Sequence, residues 1–344
     1  MTGRLGQRPR LPALSGPGGR AVIRLLTRSA GRLAVCLAAV TLTYTLASLS
    51  FDPLADLRST QPPTPQEVID ARAVALGLDR PLLPRMLEWF TGACTGDLGV
   101  TVDGHPIGAQ LWERAGTSLR LFLPGSVLAV LGGIAVGVWG AVRAGRTSDR
   151  ISMATALLLL AVPVFVLGTV LKILWLPINN AAGTDLLPFS GETTPGSEAT
   201  GWAEFGDRIR HLVLPTITIA LPQIAFYSRF QRAAMLEVLH SEFLRGARTR
   251  GLTYRQAITG HGLRMALVPM TALVAFGFGL HLVGGVFTER IFGWHGLGDW
   301  LMSAIENQDA RVVATATLLM AVLVVVVGWV ADLALAFLDP RTRS

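Results

Sequence analysis

Residues 312–338 carry a single ionisable side chain, Asp332, and this constrains the chain more than any other feature. As a helix, a run of that length spans about 40 Å, more than the roughly 30 Å hydrocarbon slab of a bilayer. Five apolar runs precede it, at 33–49, 119–142, 151–176, 212–228 and 266–287. Segments of this kind in lipid must satisfy every backbone polar group internally, which leaves helices or a closed barrel. Their length selects helices. The expected fold is all-α and polytopic, with six transmembrane helices.

The totals agree. Of 344 residues, 51% are hydrophobic and 15% charged, with mean hydropathy +0.49, too apolar for a soluble domain of this size. Arginines precede the run at 33–49, and Thr45-Leu46-Ala47 resembles a leader-cleavage site. The run is nevertheless longer than most leader cores and more spans follow, so it reads as the first membrane helix.

Charge sets the expected orientation. The segments 1–32, 143–150, 229–265 and 339–344 hold 19 arginines and 4 acids in 83 residues. The segments 52–118, 177–210 and 288–311, with Arg120 at their edge, hold 10 arginines and 18 acids in 125 residues. Basic loops resist translocation, so the first set is expected on the cytoplasmic side of the cell (inner) membrane, with both termini there. On this reading 1–32 is a flexible basic tail, 33–51 the first helix, 52–114 an extracytoplasmic region, 115–338 a five-helix unit and 339–344 a short tail. The extracytoplasmic region contains the Pro-rich stretch 61–66 and two expected amphipathic helices, near 65–76 and 84–90. The net charge of +7 is spread over alternating loops rather than one patch, so lipid rather than nucleic acid is the expected contact.

Several chemistries have no residues to carry them. The only lysine, Lys172, lies in an apolar run, so no phosphate-cradling Gly-rich loop ending in Lys can form. HExxH and GxSxG are absent, and the six histidines do not pair at ligand spacing. Cys36 and Cys94 fall in a span and in an outside region, which offers no disulfide. Ion-coupled carriers place ionisable groups at mid-membrane. Here only Lys172 and Asp332 lie within spans, each near an end, where they are expected to snorkel to the interface. Glycines at 125, 132, 133, 137 and 140 and prolines at 163, 215, 222 and 269 suit closely packed, interrupted helices. A bulky residue at Gly277 or Gly279 is expected to obstruct any passage in the fifth span.

The loop 229–265 is the handle such a bundle would offer. It has seven arginines against Glu237 and Glu242. Ser241 can cap a short helix over 242–250, whose Phe243, Leu244 and Ala247 form one sticky face. Gly251 falls where a helix end wants a left-handed residue. Thr253 and Gln256 form a capping box that restarts a helix toward the fifth span.

The run Glu242-Phe243-Leu244-Arg245-Gly246-Ala247-Arg248-Thr249-Arg250-Gly251-Leu252, with His261-Gly262-Leu263-Arg264 and Pro269, resembles the cytoplasmic Glu-Ala-Ala-type loop of ABC importer permeases. The 251-to-269 spacing is similar to the dipeptide and oligopeptide branch, peptide/nickel importers of the "B" membrane subunit. Gly96-Asp97-Leu98-Gly99, His211-Leu212-Val213-Leu214-Pro215, Val286-Phe287-Thr288-Glu289-Arg290-Ile291-Phe292 with Gly296-Leu297-Gly298, and Leu338-Asp339-Pro340-Arg341 follow that branch in order. Arg245 and Gly246 stand where the general motif has Glu and Ala, and His295 where a proline is typical.

The resemblance implies a type I importer transmembrane domain that frames half of a path for peptides. It implies a second homologous permease, two ATPase subunits that hold ATP and Mg, and an extracytoplasmic binding protein. The chain itself would be no enzyme and carry no cofactor. Ser241, Glu242, Phe243, Leu244, Arg245, Ala247, Arg248, Gly251 and Leu252 would form the ATPase-coupling loop, with Phe243, Leu244 and Ala247 filling a cleft on the ATPase. Nickel or another small solute on the same scaffold, a stand-alone secondary transporter, and a membrane scaffold are the competing readings.

Overall fold

The computed structural model describes residues 17–62, 64–198 and 200–338, with side chains described for these except 17–28, 56 and 279–284. Fourteen α-helices form among them, and no strand beyond an isolated bridge between Val100 and Pro106. Six of the helices are long and apolar enough to cross a membrane.

α1 (Pro17–Ser50) begins sixteen residues earlier than the expected span, so the segment 17–32 is helical rather than a flexible tail. Once a span has nucleated, adding one more residue costs little, and Arg, Leu and Ala are good helix formers. The closing tail, 339–344, lies outside the described residues. α2 (Ala55–Ser59), α3 (Gln66–Ala75) and α4 (Leu82–Thr95) follow, and Gly96, at φ +88°, ends α4 in the left-handed conformation.

α5 (Ile107–Val142) and α8 (Trp202–Leu239) are the central pair. They run in the same direction, with the glycine stripe of α5 laid on α8. A Cβ at Gly125 would lie 2.8 Å from Ile219, one at Gly133 2.5 Å from Tyr227, and one at Gly137 2.6 Å from Gln231. Apolar burial gives little drive between helices in lipid, so this close approach is where dispersion holds the pair together. α8 continues through Pro215 and Pro222 and reaches Leu239. Its first and last turns therefore occupy stretches expected to be loop.

The third apolar run is not one helix. α6 (Thr147–Ala161) stops at Val162, whose extended backbone (φ −90°, ψ 122°) is what a following proline imposes. Pro163 then caps α7 (Val164–Ala182). Lys172, on α7, finds its partners within the protein: its Nζ donates to Ile291 O at 2.5 Å and lies 5.4 Å from the Phe292 ring centre. Asp332 pairs with Arg32 of α1 at 2.8 Å.

α9 (Glu242–Thr249) and α10 (Tyr254–Ala257) lead through a wide π turn, Ile258–Gly262, into α11 (Leu263–Gly284). Gly277 of α11 faces the Tyr227 hydroxyl of α8 too closely for any Cβ. A bulky residue there would wedge α11 away from α8 rather than plug a passage, which corrects the expectation for Gly277, while Gly279 is among the residues whose side chains are not described. α12 (Val286–Phe292) and α13 (Leu297–Glu306) precede the last helix, α14 (Ala310–Leu338). Arg264 donates to Phe337 O at 2.7 Å and to Leu338 O at 3.1 Å, tying the start of α11 to the end of α14. Together with Arg32–Asp332 and Arg232–Asp149, this gathers the arginine-rich segments at one end of the bundle.

Candidate functional site

The loop between α8 and α11 folds as its local signals dictate. Ser241 takes an extended backbone, and its Oγ accepts from Leu244 N at 3.4 Å and donates to Val238 O at 2.7 Å. A single hydroxyl therefore closes α8 and opens α9. Arg250 leaves helical geometry, and Gly251 turns the chain at φ +90°. The capping box forms: Gln256 Oε1 accepts from Thr253 N at 3.0 Å, and Thr253 Oγ1 accepts from Gln256 N at 3.4 Å.

What α9 buries differs from what its sequence suggests. Leu244 is 2% exposed and Ala247 fully buried, in a cluster with Met235 and Val238 of α8, Ala257, Ile258 and Ala266. Leu252 packs on the same cluster, and the methyl groups of Leu244 lie against Gly262. These two side chains hold the loop to its own bundle and cannot fill a partner's cleft. The reason is geometric: α8 and the π turn cover one side of α9 and leave Phe243 at its rim, half exposed. Burying them stabilises the seat of α9 by about 2 kcal/mol for the leucine.

The outward face is therefore different. Phe243, 45% exposed, stacks edge-on against His261 at 6.1 Å. Arg248 lies 5.7 Å from the ring centre of Tyr254, itself 44% exposed. Glu242 and Arg245 pair at 2.8 Å on the surface, and Arg250 bonds Gly246 O at 3.2 Å. The result is a rigid knuckle with two aromatic side chains and several guanidinium groups on its surface. Tyr254 and His261 are the members that reasoning on α9 alone passes over. Their signal was the capping box itself, which fixes where the helix after the turn begins.

A clamp sits beside the knuckle. Asp149, 3% exposed at the start of α6, accepts two 2.7 Å bonds from Arg232 of α8 and one at 3.0 Å from Gly145 N. The Arg232 guanidinium holds the Asp149 carboxyl below the usual carboxylate range. The clamp ties α6 to α8, on whose end the knuckle is seated.

Residues 133–344, which include the whole of this loop, match the family described as "Binding-protein-dependent transport system inner membrane component". The chain belongs to that family. It is also 47% identical over 302 residues to oligopeptide transport system permease proteins of Mycobacterium tuberculosis (strain ATCC 25618 / H37Rv) and Mycobacterium bovis, covering 88% of this chain and 93% of theirs. With the dipeptide transport system permease protein of Escherichia coli K12 it shares 32% identity over 286 residues, 78% of this chain and 83% of the relative. As an inner membrane component of a binding-protein-dependent system, the permease is a transport subunit rather than an enzyme, and it works with a binding protein and ATPase subunits.

Proposed function

We propose that this permease forms half of the path by which a peptide ABC importer moves di- or oligopeptides inward, and that the α9 knuckle is where ATPase force enters. The basic end of the bundle faces the cytoplasm on this reading, with both termini there. A second homologous permease completes the path, two ATPase subunits that hold ATP and Mg sit beneath, and an extracytoplasmic protein delivers the peptide. The names of the relatives support peptide over nickel as cargo.

The observation that carries the coupling role is the burial of Leu244 and Ala247 beneath an exposed Phe243. A loop bolted to α8 and α11 transmits a push as a rigid-body rotation instead of absorbing it. Phe243, Arg245, Arg248 and Tyr254 are the contact face; Ser241, Gly251 and Leu252 shape it, and Glu242 orients Arg245. The test is Phe243→Ala in the reconstituted importer. The variant complex is expected to assemble while its peptide-stimulated ATP hydrolysis falls at least tenfold, a typical loss for an aromatic interface anchor. Unchanged stimulation would remove α9 from this role.

A further inference from the structure

At the end of the bundle opposite the knuckle, α4 packs on α1 and α14. Trp89 stacks against Tyr44 at 5.4 Å, and both share a cluster with Val40 and Ala314. Tyr44 lies about 9 Å along α1 from its end and Ala314 about 6 Å along α14 from its start, so α4 lies at the depth of lipid headgroups and upper acyl chains. Its other side agrees, with Leu83 65% and Leu87 60% exposed, one turn apart. A helix with this division lies in the membrane interface.

Arg85 shares the Trp89 face of α4, and Arg311 begins α14. Both are half-buried, and both line a cavity of about 340 Å³ and a smaller one of about 40 Å³ beside it. Among the described residues neither guanidinium forms an ion pair within 4 Å, and the charge of Arg311 acts on the Asp309 carboxyl that lines the smaller cavity with them. Arg311 donates to Leu76 O at 3.0 Å, and the Arg85 side chain makes no hydrogen bond among the described residues. Glu88 and Asp97 line the larger cavity and Asp309 the smaller one, each with partners of its own. Glu88 pairs with Arg80 at 3.2 Å, Asp97 accepts from Gly99 N at 3.0 Å, and Asp309 accepts from Val102 N at 2.7 Å and Val312 N at 3.1 Å. The indole N–H of Trp89, a residue 5% exposed that lines the larger cavity, has no acceptor among the described residues. Two cations with free N–H forks facing one cavity, beside an unused donor, form a seat for an oxyanion.

We propose that Arg85 and Arg311 hold the phosphate of an outer-leaflet phospholipid. The occupant follows from depth, which the exposed leucines on the opposite face of α4 support, and the side of the membrane rests on the orientation proposed above. A lipid held there would brace α4 against α1 and α14, the two helices that close the bundle.

The test uses the purified full chain in neutral detergent, with native mass spectrometry and thermal unfolding as readouts. Added phosphatidylglycerol should bind one molecule per chain at this site and raise the unfolding temperature. Diacylglycerol, which lacks the phosphate, should do neither. Arg85→Gln, which breaks no hydrogen bond within the described chain, should weaken phosphatidylglycerol binding about tenfold, and Arg85→Gln with Arg311→Gln should abolish it. Equal binding by wild type and Arg85→Gln overturns the proposal. So does equal protection by inorganic phosphate, which would make this a free-phosphate site, or protection by a dipeptide with a free carboxylate, which would make it a substrate site. Labelling of the exposed Cys94 by a membrane-impermeant maleimide in intact cells reports the orientation separately. A shielded Cys94 would overturn the outer-leaflet assignment while leaving the Arg85 binding result to stand by itself.

Discussion

Ser118 on α5 donates a 2.5 Å hydrogen bond to Glu289 on α12, and the same hydroxyl accepts from Leu297 N at the start of α13 at 2.7 Å. Glu289 is 1% exposed, and its second oxygen accepts from Asp299 N at 2.8 Å. The carboxylate thus acts as the cap of a helix that begins eight residues later, where the helix dipole favours negative charge. Gly296 lies so close to both groups that only glycine fits. Three elements meet on one buried acid at the end of the bundle away from the knuckle.

That acid makes stability depend on pH. Burial pushes the Glu289 carboxyl up to about 7, against the pull of its hydrogen bonds from Ser118, Asp299 and Gly298. A carboxyl raised above its unfolded value of 4.5 contributes stability that is fully present below pH 4.5 and lost as pH rises through 7. The purified permease should therefore lose up to about 3 kcal/mol between pH 4.5 and 7.5 from this group. Glu289→Gln should flatten that region of the profile in thermal unfolding. An unchanged slope in the variant would place the dependence elsewhere.

Asp149 has the opposite sign. Its carboxyl is depressed by Arg232, so its stabilisation is present above the ordinary carboxylate range and is lost as pH falls through the lowered value. Arg232→Ala leaves a buried carboxylate without its partner and should cost about 3–5 kcal/mol. Arg232→Lys keeps the charge but not the two-pronged geometry and should fall between. Denaturant unfolding at neutral pH ranks the three proteins, and equal stability would show that the clamp contributes nothing.

Local signals carried the features of this fold that are set locally. Ser241, Gly251, Thr253 and Gln256 act through neighbours three or four residues away, and their caps stand where the sequence places them. The glycine stripe of α5 is legible for a similar reason, since Gly125, Gly132, Gly133, Gly137 and Gly140 crowd one side of the helix, three, four or seven residues from one to the next apart from the adjacent pair. What was illegible is set by distant partners. Ser118 and Glu289 are 171 positions apart, Arg32 and Asp332 300, and no periodicity announces either pair. Leu244 and Phe243 are adjacent, yet one is buried and the other exposed, because α8 and the π turn cover only one side of the short helix. An eight-residue helix has too few turns for its own pattern to decide which apolar residue faces in.

The contrast between those neighbours is itself testable. Leu244→Ala empties a filled pocket and should destabilise the loop by about 2–3 kcal/mol, at the lower end for a buried leucine beside an exposed surface. Leu244→Asp should unseat α9 altogether, since a carboxylate cannot be buried unpaired among Met235, Val238 and Ile258. Phe243→Ala removes an exposed ring and should change stability by less than about 0.5 kcal/mol. Limited proteolysis at the loop arginines reads the difference, with rapid cleavage expected for Leu244→Asp and wild-type cleavage for Phe243→Ala. The reverse pattern would mean that α9 turns its leucine outward.

The seam between α5 and α8 should be the least forgiving region of the bundle. A methyl group at Gly137 would lie 2.6 Å from Gln231 Cβ and 2.7 Å from Ser228 O, and the second of these is backbone that cannot swing aside. The helices must separate, and overpacking of this kind costs about 1–3 kcal/mol for one added carbon. Gly31 on α1 is the control, because a Cβ there meets nothing within 4 Å. Replacing it with Ala should be neutral or stabilise by up to about 1 kcal/mol through helix propensity. Thermal unfolding of Gly137→Ala and Gly31→Ala in the same detergent separates contact from propensity. Equal effects of the two substitutions would show that α5 and α8 do not touch along the glycines, and the rigid connection from the knuckle to the rest of the bundle would lose its physical basis.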